Sequence, residues 1–94
     1  MASSAPFDIG TLITCTPDVY GGRPCLAGTR FPVIQIAAHL RTGHSAAHIL
    51  ERFRHLGEAR IHAGITYYYA NKEEIDAELD ADIARFEQSS RAVR

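Results

Sequence analysis

Gly21-Gly22-Arg23-Pro24-Cys25-Leu26-Ala27-Gly28-Thr29-Arg30-Phe31-Pro32-Val33 is the stretch where strand signals give way to helix signals. Gly28 permits a positive φ in a turn. Arg23–Leu26 and Thr29–Phe31 are therefore expected to flank Ala27-Gly28 as a hairpin. Pro24 has no N–H for a ladder bond, which limits its segment to a sheet edge. Phe31 and Val33 are expected to point into the core. Pro32 fits the first helical position, where a missing N–H costs nothing. Arg30 could cap helix carbonyls, contact phosphate or pair with an acid, and we favour a structural role. The run is no phosphate-binding loop, because Gly21-Gly22-Arg23-Pro24 lacks a Gly-Lys-Ser/Thr ending.

Upstream, Leu12–Thr16 is short and rich in β-formers, and Pro17 with Gly21-Gly22 breaks it. Residues 1–10 are small and polar, and read as a flexible arm. Downstream, Val33, Ile36, Ala37 and Leu40 form one apolar face of a helix that Gly43 closes. Ser45 is a good N-cap for a second helix over 46–54, with Ile49, Leu50 and Phe53 inward. A third helix is expected over 58–70, with Ile61, Ile65 and Tyr68 on one face. Asn71 is expected to cap a fourth helix, with Glu74 reaching back as in a capping box. Ile75, Leu79, Ile83 and Phe86 give that helix an apolar stripe on an otherwise charged surface. The fold class is mainly α: a short N-terminal β-hairpin, a helix-turn-helix bundle, and a C-terminal amphipathic helix. One domain is expected over 11–76, followed by an acidic helix and tail over 77–94.

The composition agrees with a small globular chain. Its 94 residues are 46% hydrophobic and 22% charged, which excludes a wholly disordered chain. No apolar run approaches the ~20 residues of a membrane span, and the first ten residues do not read as a secretory signal. The expectation is a cytoplasmic protein with no membrane contact. Cys15 and Cys25 are too few for a disulfide framework. The net charge of −1 hides an asymmetry. Up to Ala70, six Arg face four acids; from Asn71 on, four bases face seven acids. A mildly basic body and an acidic end can serve two different partners.

The second and third helices, joined by a turn with Gly57, have the dimensions of a helix-turn-helix. In that motif the second helix enters the major groove. Arg60 is the one residue on its expected outward face suited to bidentate guanine contact, with Ala63 and Tyr67 beside it. Arg52, Arg54 and His55 are placed to meet phosphates.

Residues 21–33 resemble the signature of domain-of-unknown-function family 433: a double glycine, a proline, an apolar residue, then Gly-Thr-Arg, an apolar residue and Pro-Val. The likeness continues through Leu40-Arg41-Thr42-Gly43-His44-Ser45, Ile49-Leu50-Glu51, Phe53 and Tyr67–Ile75, and so covers about residues 12–76. Two positions depart from it: Arg54 stands where the family commonly has proline, and Gly57 where it often has Ser or Thr. The resemblance implies a homeodomain-like helix-turn-helix with an added hairpin. It further implies an antitoxin that neutralises a PIN-like ribonuclease toxin and represses its own operon at operator DNA.

Three further expectations concern partners. A homodimer is expected from the small core and the exposed sheet edge, with Ile13, Cys15, Arg23, Cys25, Leu26 and Arg30 at the interface. Helix-turn-helix dimers read half-sites about 34 Å apart. Asp76, Leu79, Ile83 and Phe86 on the acidic helix are expected to meet the toxin, whose RNA-binding groove must be basic. The alternative is a protein-interaction module that binds no DNA.

Other chemistry finds little support. Five His invite a metal reading, but His44 precedes the cap Ser45, so His44 and His48 make no well-formed i, i+4 clamp. No Cys-x-x-Cys or carboxylate cluster joins them, and surface or half-buried His is the preferred reading. No metal site and no cofactor are expected. Cys15 and Cys25 read as small packing residues, able to face each other across strands. In Tyr67-Tyr68-Tyr69, core packing is preferred over base stacking. No motif assembles a nucleophile, base and orienting group, so no enzyme is expected.

Overall fold

The structure, a computed structural model, describes residues 8–92. Most of the expected arm over 1–10 lies outside the described residues. Within them, Asp8 accepts the Gly10 N–H at 2.9 Å and so caps a 3-10 turn over Ile9–Leu12. β1 (Ile13–Cys15) then pairs antiparallel with β2 (Pro24–Leu26) in the register Ile13↔Leu26, Thr14↔Cys25, Cys15↔Pro24. The connection between them turns back through Tyr20, Gly21 and Gly22, all at positive φ.

This pairing corrects the expected hairpin. The partner of β2 is the upstream strand, not Thr29–Phe31. The Thr29 hydroxyl donates to the Leu26 carbonyl at 2.8 Å and accepts the Phe31 N–H at 3.0 Å. The segment is thus wound into a tight loop, with Gly28 at φ +74° and a single bridge from Cys25 to Pro32. The register also separates the cysteines. Cys25 lies opposite Thr14 and Cys15 opposite Pro24, so the thiols point to different faces of the ribbon.

α1 (Val33–Arg41) starts one residue later than expected, because Pro32 is still extended (φ −81°, ψ 148°) and serves as its N-cap. Gly43 at φ +95° closes the turn after it. Ser45 caps α2 (Ala46–Arg52), its Oγ accepting the His48 N–H at 3.1 Å. α2 ends two residues early, since Arg54–Leu56 form a separate 3-10 turn. Gly57 at φ +87° then leads into α3 (Glu58–Ala70) with no side-chain cap.

Only Asn71 separates α3 from α4 (Lys72–Ala92). Its role differs from the expected one. The side-chain Nδ2 donates back to the Tyr67 carbonyl at 3.1 Å, so it satisfies the end of α3 instead of capping α4.

α1, α3 and β2 enclose the core, with Leu26, Val33, Ile36, Ile49 and Ile61 fully buried and Tyr68 2% exposed. Burial of each such side chain contributes about 1.5–3 kcal/mol before entropy costs. Gly64 is the closest approach: a Cβ there would stand 2.5 Å from Ile36 Cδ1 and 3.0 Å from Leu26 Cδ2. Ile75 closes the core from α4, and Leu79 packs beside it.

Candidate functional site

The α2–turn–α3 unit presents Arg52, Arg54 and His55 to solvent, as expected of phosphate contacts. Among the described residues Arg54 is held only by Glu51, at 3.3 Å on the surface. Such an exposed pair is worth little and dissociates readily. Arg52 lies 5.8 Å from the Phe53 ring centroid. Phe53 in turn meets Phe31 edge-on at 4.8 Å.

The expected base-reading face of α3 is not available. Arg60 directs its Nε to the Ala27 carbonyl at 2.8 Å and its Nη1 to the Leu56 carbonyl at 3.4 Å. It therefore ties α3 to the loop after β2 and to the preceding turn. Ala63 is only 4% exposed. Tyr67 is half-buried, and burial raises its phenol above the ordinary value. The reason is common to all three. Residues 60, 63 and 67 share one helix face, and the hairpin and the Ile9–Leu12 turn pack on that side of α3. The exposed residues of α3 are instead Glu58, Ala59, His62, Thr66, Tyr69 and Ala70, with no Arg or Lys among them.

The expected dimer set also divides. Cys25 at 2% and Leu26 at 0% belong to the protein's own core, because β2 is covered by α1 and α3. Burial also lifts the Cys25 thiol above its usual value, away from the reactive thiolate. Arg23 is committed within the chain to Asp82. Cys15 and Arg30 are exposed and Ile13 is half-buried. Ile13 and Cys15 line an apolar groove of about 350 Å³ with Ile9, Ala63, Tyr67 and Ala70. The outer edge of β1 beside it has no strand partner among the described residues.

α4 divides at Asp82. Its first turns are docked. Asp76 accepts the Tyr68 hydroxyl at 2.8 Å and Lys72 Nζ at 2.9 Å, and Arg41 lies 3.7 Å away. Lys72 and the Tyr68 hydroxyl hold the Asp76 carboxyl below its ordinary pKa. Arg41 also grips Asp80 at 2.9 Å. Asp76 and Leu79, two of the expected toxin contacts, are therefore occupied by this chain's own Tyr68, Lys72 and core. The other two are outward: Ile83 is 45% and Phe86 71% exposed.

The structure also brings His39 to the pair His44 and His48, a partner that spacing did not suggest. His39, on the last turn of α1, places its Nδ1 3.0 Å from Nδ1 of His44. The His44 ring lies 4.3 Å from that of His48. Burial lowers the His39 pKa, and His44, Arg52 and His48 push the same way. The signal lay in Gly43, whose left-handed turn folds His44 back over His39. His55 and His62 stay exposed and apart from this group. No helix among the described residues is long and apolar enough to cross a membrane.

Comparison with known proteins agrees with this fold. A crystal structure of a DUF433 member protein from Anabaena variabilis ATCC 29413, at 2.00 Å resolution, is similar at a TM-score of 0.67. It is 25% identical, over 85% of this chain and 90% of that one. The uncharacterized protein y4eO of Sinorhizobium fredii (strain NBRC 101917 / NGR234) is 38% identical over 60 residues. That stretch is 64% of this chain but 27% of y4eO, so the chain spans about a quarter of that relative. The family model described as "Protein of unknown function (DUF433)" matches residues 13–68, more than half of the sequence, and the chain belongs to that family.

Proposed function

We propose that the chain acts by binding, as an antitoxin whose distal α4 occupies the basic groove of a PIN-like ribonuclease. The observation that carries this reading is the distal half of α4, where Ile83 and Phe86 stand exposed on a helix whose acids without an ion-pair partner among the described residues include Glu78 and Glu87. An apolar stripe supplies affinity and the surrounding acids steer docking onto a basic surface. No catalysis by this chain is needed. The docked acids Asp76, Asp80 and Asp82 are spent within the chain, so recognition falls to Ile83 and Phe86 with Glu78 and Glu87 beside them.

Operator binding belongs to the same reading in a reduced form. Arg52, Arg54 and His55 offer phosphate contacts, which position a protein on DNA but carry no sequence information. The second reading, an interaction module without DNA binding, is favoured by the anchoring of Arg60 and the covering of Ala63 and Tyr67. A homodimer would supply two phosphate-contacting faces, and the free edge of β1 with its apolar groove is the surface we assign to it. Light scattering at micromolar concentration checks this, and a stable monomer would refute it.

The deciding experiment assays a PIN-like ribonuclease from a reading frame next to this chain's own, which the proposal requires to exist, with Ile83→Ser/Phe86→Ser as the variant. Both residues are exposed, so the fold is expected to survive. Loss of inhibition with an unchanged melting curve is the expected result. Full inhibition by the variant would sink the proposal. Retardation of the chain's own upstream DNA, lost in Arg52→Ala/Arg54→Ala, separates the repressor from the pure interaction module.

A further inference from the structure

We propose that His39, His44 and His48 form a binding site for a divalent ion of the nickel or copper type at the corner between α1 and α2. Two imidazole nitrogens, His39 Nδ1 and His44 Nδ1, already stand 3.0 Å apart. An ion bonded to both at the usual distance of about 2.0–2.1 Å would subtend an N–metal–N angle of about 90–97°. That is close to the right angle of square-planar or octahedral coordination and short of a tetrahedral angle. Nickel and copper ions favour such tetragonal sites, and imidazole suits both.

The pair is held by backbone as well as by side chains. The His44 N–H donates to the His39 carbonyl at 3.1 Å. Gly43 at φ +95° supplies the turn that brings the rings together. The His39 ring is braced edge-on by Phe53 at 5.4 Å. These contacts hold the two rings side by side before any ion arrives, so that modest rotation of each ring is enough to turn both nitrogens onto one ion. Without an ion, an Nδ1–Nδ1 contact needs one ring to donate and the other to accept; an ion replaces that shared proton.

His48 is the third ligand. Its exposed ring is tilted 36° over His44. Among the described residues, no three His, Cys, Asp or Glu side chains converge on one point as they stand. The His48 ring therefore has to turn toward the pair, and water completes the shell. Arg52 is a charged group near enough to act on His39, and its guanidinium lies over the Phe53 ring, 5.8 Å from the centroid.

The test is a titration of nickel chloride into the full chain at neutral pH, followed by amide NMR signals and by calorimetry. One saturable site is expected, with signals shifted or broadened over Leu40–Ile49. His39→Gln, His44→Gln and His48→Gln should each weaken binding by at least about tenfold, the lower bound for losing even an outer partner of a metal ligand. His62→Gln, on the exposed face of α3, should leave affinity unchanged. Circular dichroism checks that each variant folds, and the signal map of the unaltered chain stands whether or not one of them melts. Perturbations centred on Cys15, His55 or His62, or full affinity in His44→Gln, would overturn the site. Full affinity in His48→Gln alone would overturn the third ligand.

Discussion

Arg23 grips Asp82 through both ends of its guanidinium, Nη1 to Oδ2 at 2.8 Å and Nη2 to Oδ1 at 3.2 Å. The bond joins the residue before β2 to the third turn of a helix 59 residues later. Bidentate geometry makes this the strongest of the surface pairs, and Arg85 shares the same carboxylate. Both partners are about a third exposed, so solvent screens the pair. Arg23→Ala is expected to cost about 0.5–1 kcal/mol. The difference from the parent chain should shrink in high salt. Urea unfolding at two ionic strengths measures both.

Acid should loosen the same contact. Hydrogen bonding from Arg23 holds the Asp82 carboxyl below its ordinary pKa, and Lys72 and Tyr68 do the same for Asp76. A carboxyl with a depressed folded pKa contributes stability that is fully present above its unfolded value of about 3.9. That contribution is lost as pH falls through the folded value. Melting temperature should therefore fall modestly as pH drops below about 4. Asp82→Asn should flatten the fall, and an equal slope in that variant would contradict the assignment.

Arg60→Ala should act on stability and leave DNA untouched. Its guanidinium satisfies the Ala27 carbonyl at 2.8 Å, and a hydrogen bond to a charged group is worth about 1.5–3 kcal/mol. The variant should melt earlier. Retardation by any DNA that the parent binds should persist at temperatures where the variant is folded. A selective loss of one base preference would restore Arg60 as a reading residue.

Gly64→Ala poses two opposed terms. Alanine inside a helix is favoured over glycine by about 1 kcal/mol. The new methyl would meet Ile36 Cδ1 at 2.5 Å and Leu26 Cδ2 at 3.0 Å, both on fully buried side chains, and overpacking costs about 1–3 kcal/mol. Packing should win, with net destabilisation of about 1 kcal/mol and a larger loss for Gly64→Val. Calorimetric melting of the two variants gives the order.

These residues also mark what could be read from sequence. Local chemistry was legible. Ser45 caps α2, Gly43 and Gly28 sit at positive φ, and the 3.6 period placed Val33, Ile36 and Ala37 inside. What failed depended on distant chain. The hairpin partner of Pro24–Leu26 could not be chosen without knowing that Thr29 would wind its own loop. A ribbon placed elsewhere leaves the face of α3 beneath it as open surface, and with it Arg60, Ala63 and Tyr67. Asp76 has one partner that spacing can show, Lys72 four residues before it, but nothing local links it to Arg41 or Tyr68. Ile83 and Phe86, beyond the docked turns, stay exposed although the same stripe buries Ile75 and packs Leu79 on the core.

The distal half of α4 is too short to be helical by itself. Isolated helices under about 12–15 residues are marginal in water, because the first turn is costly to nucleate and later turns only propagate. The docked turns, with Ile75 in the core and Asp76, Asp80 and Asp82 paired, supply that nucleus. Coil would therefore invade the free turns from the far end and stop at Asp82. Salt or acid that weakens the Arg23 and Arg41 contacts would shift this boundary inward. The exposed Phe86 would lose its helical neighbours without any change at Phe86 itself. Any partner that reads the free turns would thus inherit its affinity from ion pairs it never touches.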